Sequence, residues 1–151
     1  LIGINCELIV IGNLDKEYLF ILKKYKKNYK NYVALGNNEV FKKYVNSDLL
    51  LFPSLHEGFG MPILEAQTVG RPVITSDLEP MNDVGGNGAL YVNPRSTKSI
   101  RSGVIKVIRN KFFRDKLIKN GFKNIKRFNK NIILKKHLDC YYDILNNKIT
   151  N

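Results

Sequence analysis

The stretch Asn46–Ser76, "NSDLLLFPSLHEGFGMPILEAQTVGRPVITS", decides the fold. Its apolar run "DLLLFPS" is strand-length and lacks polar alternation, as in a strand covered on both faces. "PILEAQTV" reads as a short helix. Pro62 suits its first position, where the amide proline lacks would have no helical partner. Gly70 can end the helix in a left-handed cap, and "RPVITS" supplies β-branched residues for the next strand. Strand, helix, strand within about thirty residues is a βαβ unit, which implies parallel pairing.

The same alternation extends outward. Upstream, "ELIVIG" is strand-like, and "DKEYLFILKKYKKNYK" places Tyr18, Ile21, Leu22 and Tyr25 on one helical face behind a capping Asp15. "YVALG" is expected as the next strand, and "NNEVFKKYVNSD" as a short helix with Val40, Phe41, Tyr44 and Val45 turned inward. Downstream, Ser76 to Gly88 reads as irregular and "ALYVNP" as a last strand. "STKSIRSGVIKVIRN" reads as a helix packing Ile100, Val104, Ile105, Val107 and Ile108, and two further helical stretches follow. The pattern predicts an α/β fold, a Rossmann-like parallel sheet flanked by helices with a helical C-terminal tail.

The 151 residues, 44% of them hydrophobic, suffice for one ordinary core, so one domain spanning 1–151 is expected. No run approaches the roughly 20 apolar residues of a membrane span, and "LIGINCELIV" lacks the basic region and cleavage site of a signal peptide. Cys6 and Cys140 have no CxxC spacing and no His cluster nearby, which favours reduced packing residues over a disulfide or zinc. The net charge of +12 is uneven: "KKYKKNYK" and the region from Arg101 to Lys136, whose one acid is Asp115, are strongly basic. Such a surface suits nucleotides, lipid phosphates, an acidic membrane face or nucleic acid, although a composition biased toward Lys, Asn and Ile produces the same charge.

In an open α/β sheet, ligands sit where the carboxyl ends of strands lead into helix N-termini. Ser54 to Gly60 is such a loop, with Gly58 and Gly60 permitting close backbone approach and the helix start forming an anion site. A dinucleotide fingerprint of the GxGxxG type fails at its third glycine, where Ile63 stands, although Asp77 lies about 20 residues on, where a ribose-binding acid is expected, and that reading stays as a minor alternative. Glu57, directly before the first glycine, is also unsuited to face a pyrophosphate. The two glutamates are better placed if they flank the anion and accept hydroxyls from the two sugars of a nucleotide-sugar: Glu57 from the loop, Glu65 from the first helical turn.

"EGFGMPILE" resembles the E-x7-E signature of retaining glycosyltransferases of the GT-B fold, in particular the GT4 family, and the pattern from Asn46 to Ser76, "GALYVNP" and the helical tail agree with it. The resemblance implies the C-terminal half of such an enzyme, lacking its first strand and the N-terminal acceptor domain, and inactive alone. By the resemblance Glu57 is the catalytic-site residue that holds donor-sugar hydroxyls. Gly58, Phe59, Gly60, Met61 and Pro62 line the sugar and diphosphate, Glu65 holds the ribose, and Leu35 and Gly36 neighbour the base. It further implies a nucleoside diphosphate sugar as donor, no metal or other cofactor, and a glycan or lipid-linked acceptor. The setting it implies is cytoplasmic or on the inner face of an anionic membrane, with no nucleic acid partner. Two departures stand out: Asp83-Val84 where the family often has Glu-Val, and Phe128-Asn129 where a tryptophan is common. The alternative is a non-catalytic basic α/β module that binds nucleotides or nucleic acid. Paired acids in the loop weigh against it, since nucleic-acid readers contact with basic and aromatic residues.

Overall fold

The hydroxyl-rich end of the apolar segment Val73–Ser76 is where this molecule is most tightly built: all four residues are buried. A computed structural model describes residues 3–25 and 28–146. Lys26 and Lys27 of the basic "KKYKKNYK" run lie outside the described residues. The chain divides into two compact units, Leu1–Asp48 and Leu49–Asn151.

The first unit contains strand β1 (Leu8–Ile11), helix α1 (Lys16–Lys24), strand β2 (Tyr29–Tyr32) and helix α2 (Asn37–Val45). β1 and β2 pair in parallel with Leu8 opposite Tyr29 and Ile11 opposite Tyr32. This corrects two expectations: the helix predicted through Lys30 ends at Lys24, and the strand predicted at "YVALG" lies at Tyr29–Tyr32 instead. Asn31 explains why so polar a segment extends. Its Nδ2 donates to the Gly12 carbonyl at 2.7 Å and the Val10 carbonyl at 3.2 Å, so the side chain reinforces the pairing. Ala34, at φ 56°, then breaks the extended run. The inward faces assigned to both helices are only partly covered, since Tyr18 and Phe41 are each 55% exposed.

The second unit holds β3 (Leu50–Phe52), α3 (Met61–Thr68), β4 (Val73–Ser76), α4 (Met81–Gly85), β5 (Ala89–Val92), α5 (Thr97–Arg109), α6 (Lys111–Asn124) and α7 (Lys130–Leu145), with 3-10 turns at Gly86–Gly88 and Ile125–Phe128. β4 is the middle strand of a parallel sheet ordered β3-β4-β5, with Leu50 opposite Val73 and Val73 opposite Ala89. Because successive strand residues face opposite ways, four buried residues in a row mean that both faces of β4 are covered. β3, expected to match it, is half-buried.

The core joins this strand to the helices through Ile63, Ala66, Val73, Ile74, Met81, Val84, Val104, Val107 and Leu117. Apart from Ala66, each of these side chains contributes roughly 1.5–3 kcal/mol on burial. α5 starts where the Ser96 hydroxyl accepts the Ser99 amide at 3.2 Å, and α6 where Asn110 Oδ1 accepts the Phe113 amide at 2.8 Å. Gly70, at φ 69°, follows the last turn of α3 as predicted. The segment read as irregular contains α4 and its following turn, while α7 has no buried residue.

Candidate functional site

The loop between β3 and α3 is fixed at its base by two hydroxyls of β4. Thr75 Oγ1 donates to the Phe52 carbonyl at 2.9 Å, and the Ser76 hydroxyl donates to the Ser54 carbonyl. Both residues are fully buried, so the loop leaves the sheet from a rigid edge. From there Ser54 controls Glu57. Its hydroxyl lies 2.7 Å from Glu57 Oε1 and 3.1 Å from the His56 carbonyl, and its single proton favours the nearer, charged acceptor. Glu57 is half-buried, and a carboxylate so engaged keeps acceptor capacity for further donors.

The two glycines differ in what they require. Gly60 has φ 97° and ψ 39°, a left-handed conformation that lets the chain turn into α3. At Gly58 a Cβ would have no protein atom within 4 Å, so the surrounding chain imposes no steric need for glycine there.

α3 begins with Met61, so Pro62 occupies the second helical position rather than the first and Glu65 lies in the second turn. The predicted first-turn placement of Glu65 is corrected on this point, because Gly60 and not a residue nearer Pro62 makes the turn into the helix. No side chain caps this helix start. Met61, Glu65 and Thr68 share the exposed face of α3, while Ile63, Leu64, Ala66 and Gln67 are buried. Glu57, Gly58, Phe59, Gly60, Met61, Pro62 and Glu65 thus sit on one continuous loop and helix. Leu35 and Gly36 belong to the other unit, where the Gly36 amide donates to Glu39 Oε2 at 3.0 Å at the start of α2.

The structure adds residues that the motif did not single out. α4 is five residues long, and side chains from other elements cover its C-terminal carbonyls. Arg127 Nη1 donates to Asp83 O at 3.0 Å, Asn124 Nδ2 to Val84 O at 2.7 Å, and Gln67 Nε2 to Gly85 O at 3.0 Å. The Tyr91 hydroxyl lies 2.6 Å from Gly86 O and 3.0 Å from Asn82 O. Burial, with the Glu79 carboxylate second, pushes the Tyr91 phenol up to about 12. Asn124 Nδ2 also reaches Gln67 Oε1 at 2.8 Å, which ties α3 to α6. Asp83, one of the two departures from the family pattern, pairs with Arg127 Nη2 at 2.7 Å.

Phe128, the other departure, meets the loop itself: its ring packs edge-to-face on Phe59 at a centroid distance of 5.8 Å. The available signals were the Ser-x-x-Glu spacing of Ser54 and Glu57 and the buried amides at helical spacing from apolar residues. Among the described residues no group of three or more His, Cys, Asp or Glu converges as a metal site, and no helix is long and apolar enough to cross a membrane.

The family model described as glycosyl transferases group 1 matches residues 2–124. The O-antigen chain mannosyltransferase RfbU of Salmonella typhimurium is 45% identical over 67 residues, covering 44% of this chain and 19% of the relative. The capsular polysaccharide biosynthesis glycosyltransferase CapM of Staphylococcus aureus is 28% identical over 151 residues, covering 93% of this chain and 38% of the relative. The chain thus spans between 19% and 38% of the length of these two proteins. In architecture it is similar to the sucrose-phosphate synthase of Thermosynechococcus elongatus, with a TM-score of 0.78 at 18% identity, over 91% of this chain and 38% of that one.

Proposed function

This chain belongs to the group 1 glycosyl transferases, with the fold of the C-terminal domain of the GT-B architecture, and on that premise we propose that it binds the donor for a retaining transferase. The whole protein moves a hexose from a nucleoside diphosphate sugar to a glycan or lipid-linked acceptor, in the synthesis of surface polysaccharide or glycolipid. The observation that carries this reading is Glu57: a half-buried carboxylate, oriented by Ser54 and bordered by the open space at Gly58.

In this reading Glu57 accepts hydroxyls of the transferred sugar. The Gly58–Met61 backbone and the uncapped start of α3 face the diphosphate, whose departing charge the helix terminus stabilises. Glu65 holds the ribose diol. This domain contributes positioning and electrostatics, without a covalent nucleophile. The reaction needs no metal, and the protein works in the cytoplasm, resting on an anionic inner membrane face.

The test is calorimetric titration of the full-length protein with UDP-glucose, UDP-GlcNAc, GDP-mannose and their free nucleoside diphosphates, alongside single-stranded RNA. Glu57→Gln is expected to weaken a nucleotide-sugar while leaving the matching free diphosphate nearly unchanged, and EDTA is expected to alter neither. An equal loss for both ligands would remove Glu57 from the sugar, and a preference for RNA would favour the binding-module alternative.

A further inference from the structure

The donor loop has one side chain between its two glycines, Phe59, and that ring is 43% exposed. What it touches comes from the far end of the chain. Phe128 approaches it at 5.8 Å between centroids with the planes at 85°, the edge-to-face arrangement in which a positive ring edge meets a negative face.

Phe128 is itself held from behind. The Arg127 guanidinium lies 5.3 Å from the Phe128 centroid. Its nitrogens are fixed by Asp83 Oδ1 at 2.7 Å, Asp83 O at 3.0 Å and Asn124 Oδ1 at 3.0 Å. Asn124 is buried and anchored in turn on Val84 and Gln67. The position of the Phe128 ring is therefore set by a network independent of the loop. On the loop side a Cβ at Gly58 would meet no atom within 4 Å beyond its chain neighbours, and Gly60 turns through a left-handed conformation. Glycine on both flanks leaves the backbone many alternatives unless its side chain is held.

We propose that Phe128 is a positioning residue for the donor loop: through Phe59 it selects the conformation of Gly58–Gly60 in which Glu57 and the loop amides meet a nucleotide-sugar. The role in donor binding rests on the function proposed above, whereas the coupling of the two rings to the order of the loop does not. The substitution Phe128→Leu keeps an apolar side chain of similar reach and removes the aromatic ring, and Phe128→Trp restores one.

The experiment is amide hydrogen exchange on the ligand-free full-length protein, followed by titration with UDP-glucose and GDP-mannose. In Phe128→Leu, exchange of the Ile63 amide, which donates to the Gly60 carbonyl of the loop at 3.0 Å, should quicken by about two- to tenfold, with Val73–Ser76 unchanged. Affinity for whichever nucleotide-sugar binds the unaltered protein should fall by a similar factor, and Phe128→Trp should recover both. Phe59→Leu should quicken the loop equally, and the double variant should add little. Unchanged loop exchange in Phe128→Leu, or additive effects in the double variant, would overturn the coupling. Faster exchange with undiminished nucleotide-sugar affinity would overturn the positioning role. Failure of the unaltered protein to bind either nucleotide-sugar would defeat the donor reading, with the exchange result still deciding the coupling.

Discussion

Glu57 and Glu65 carry the same charge but depend on different supports, and that difference can be measured. Glu57 is oriented by a single hydroxyl, Ser54 at 2.7 Å. Ser54→Ala should therefore reproduce part of the Glu57→Gln loss: weaker nucleotide-sugar binding with the free diphosphate little affected. A hydrogen bond to a charged group is worth about 1.5–3 kcal/mol, so the drop should reach roughly tenfold or more. Calorimetry showing no change would mean that Ser54 merely fills the loop. Glu65 is placed by its position on the exposed face of α3. If it holds the ribose diol, Glu65→Ala should weaken a ribonucleotide-sugar by a similar factor and its 2′-deoxy counterpart much less. Equal losses would remove Glu65 from the ribose.

The smallest helix shows best how elements depend on one another. α4 is too short to hold its own C-terminal carbonyls, and Asn124, Gln67, Arg127 and Tyr91 do so from elsewhere. Asn124→Ala would leave the buried Gln67 amide oxygen and the Val84 carbonyl without this donor, each at a cost of about 1–3 kcal/mol. Urea unfolding should therefore show a loss of about 2–6 kcal/mol; a loss below about 1 kcal/mol would mean that water replaces the amide. Tyr91 gives a pH signature. Its phenol is raised from 10.0 to about 12 in the fold, so its contribution is complete below pH 10 and is lost as pH rises through 12. Tyr91→Phe should flatten stability over that window relative to the unaltered protein, and parallel curves would place the alkaline loss elsewhere. This network was not legible in the sequence, because "NDVGG" has no helical period and its partners come from distant stretches. By contrast, α3 and β4 were legible because turn residues bounded them. β2 was misplaced because Asn31, a poor strand former, gains its fitness from the carbonyls of Val10 on β1 and Gly12 just after it, which a local window cannot include. The glutamate loop, with Ser54 three residues before Glu57, was legible, but Phe128 required the fold to bring it to the loop.

At the scale of the whole molecule, the net charge of +12 has two readings, compositional bias or a surface fitted to anions. Along α5, α6 and α7 the basic residues Lys106, Arg109, Lys116, Lys119, Lys123, Lys130, Lys135 and Lys136 are all exposed, so none of them is used in the core. Two others pair with acids, Lys111 with Asp115 at 2.5 Å and Arg127 with Asp83 at 2.7 Å. Exposed lysines kept off acidic partners along three successive helices are what an anionic surface would select, and each contributes about 1 kcal/mol near such a surface. Four or five engaged together would supply about 4–5 kcal/mol, a gain of roughly a thousandfold in affinity over uncharged contact at about 1.4 kcal/mol per factor of ten. The attraction is screened within about 10 Å at 0.1 M salt and within about 3 Å at 1 M, so it should vanish as salt is raised. Co-sedimentation of the full-length protein with vesicles should be strong with phosphatidylglycerol at 0.1 M salt, absent with phosphatidylcholine and abolished at 1 M. Reversing Lys116, Lys119 and Lys123 to Glu should remove most of the binding while leaving nucleotide-sugar affinity intact, since these residues stand on α6 and outside the glutamate loop. Adsorption indifferent to lipid charge, or unchanged by the triple reversal, would leave the basic surface as composition alone.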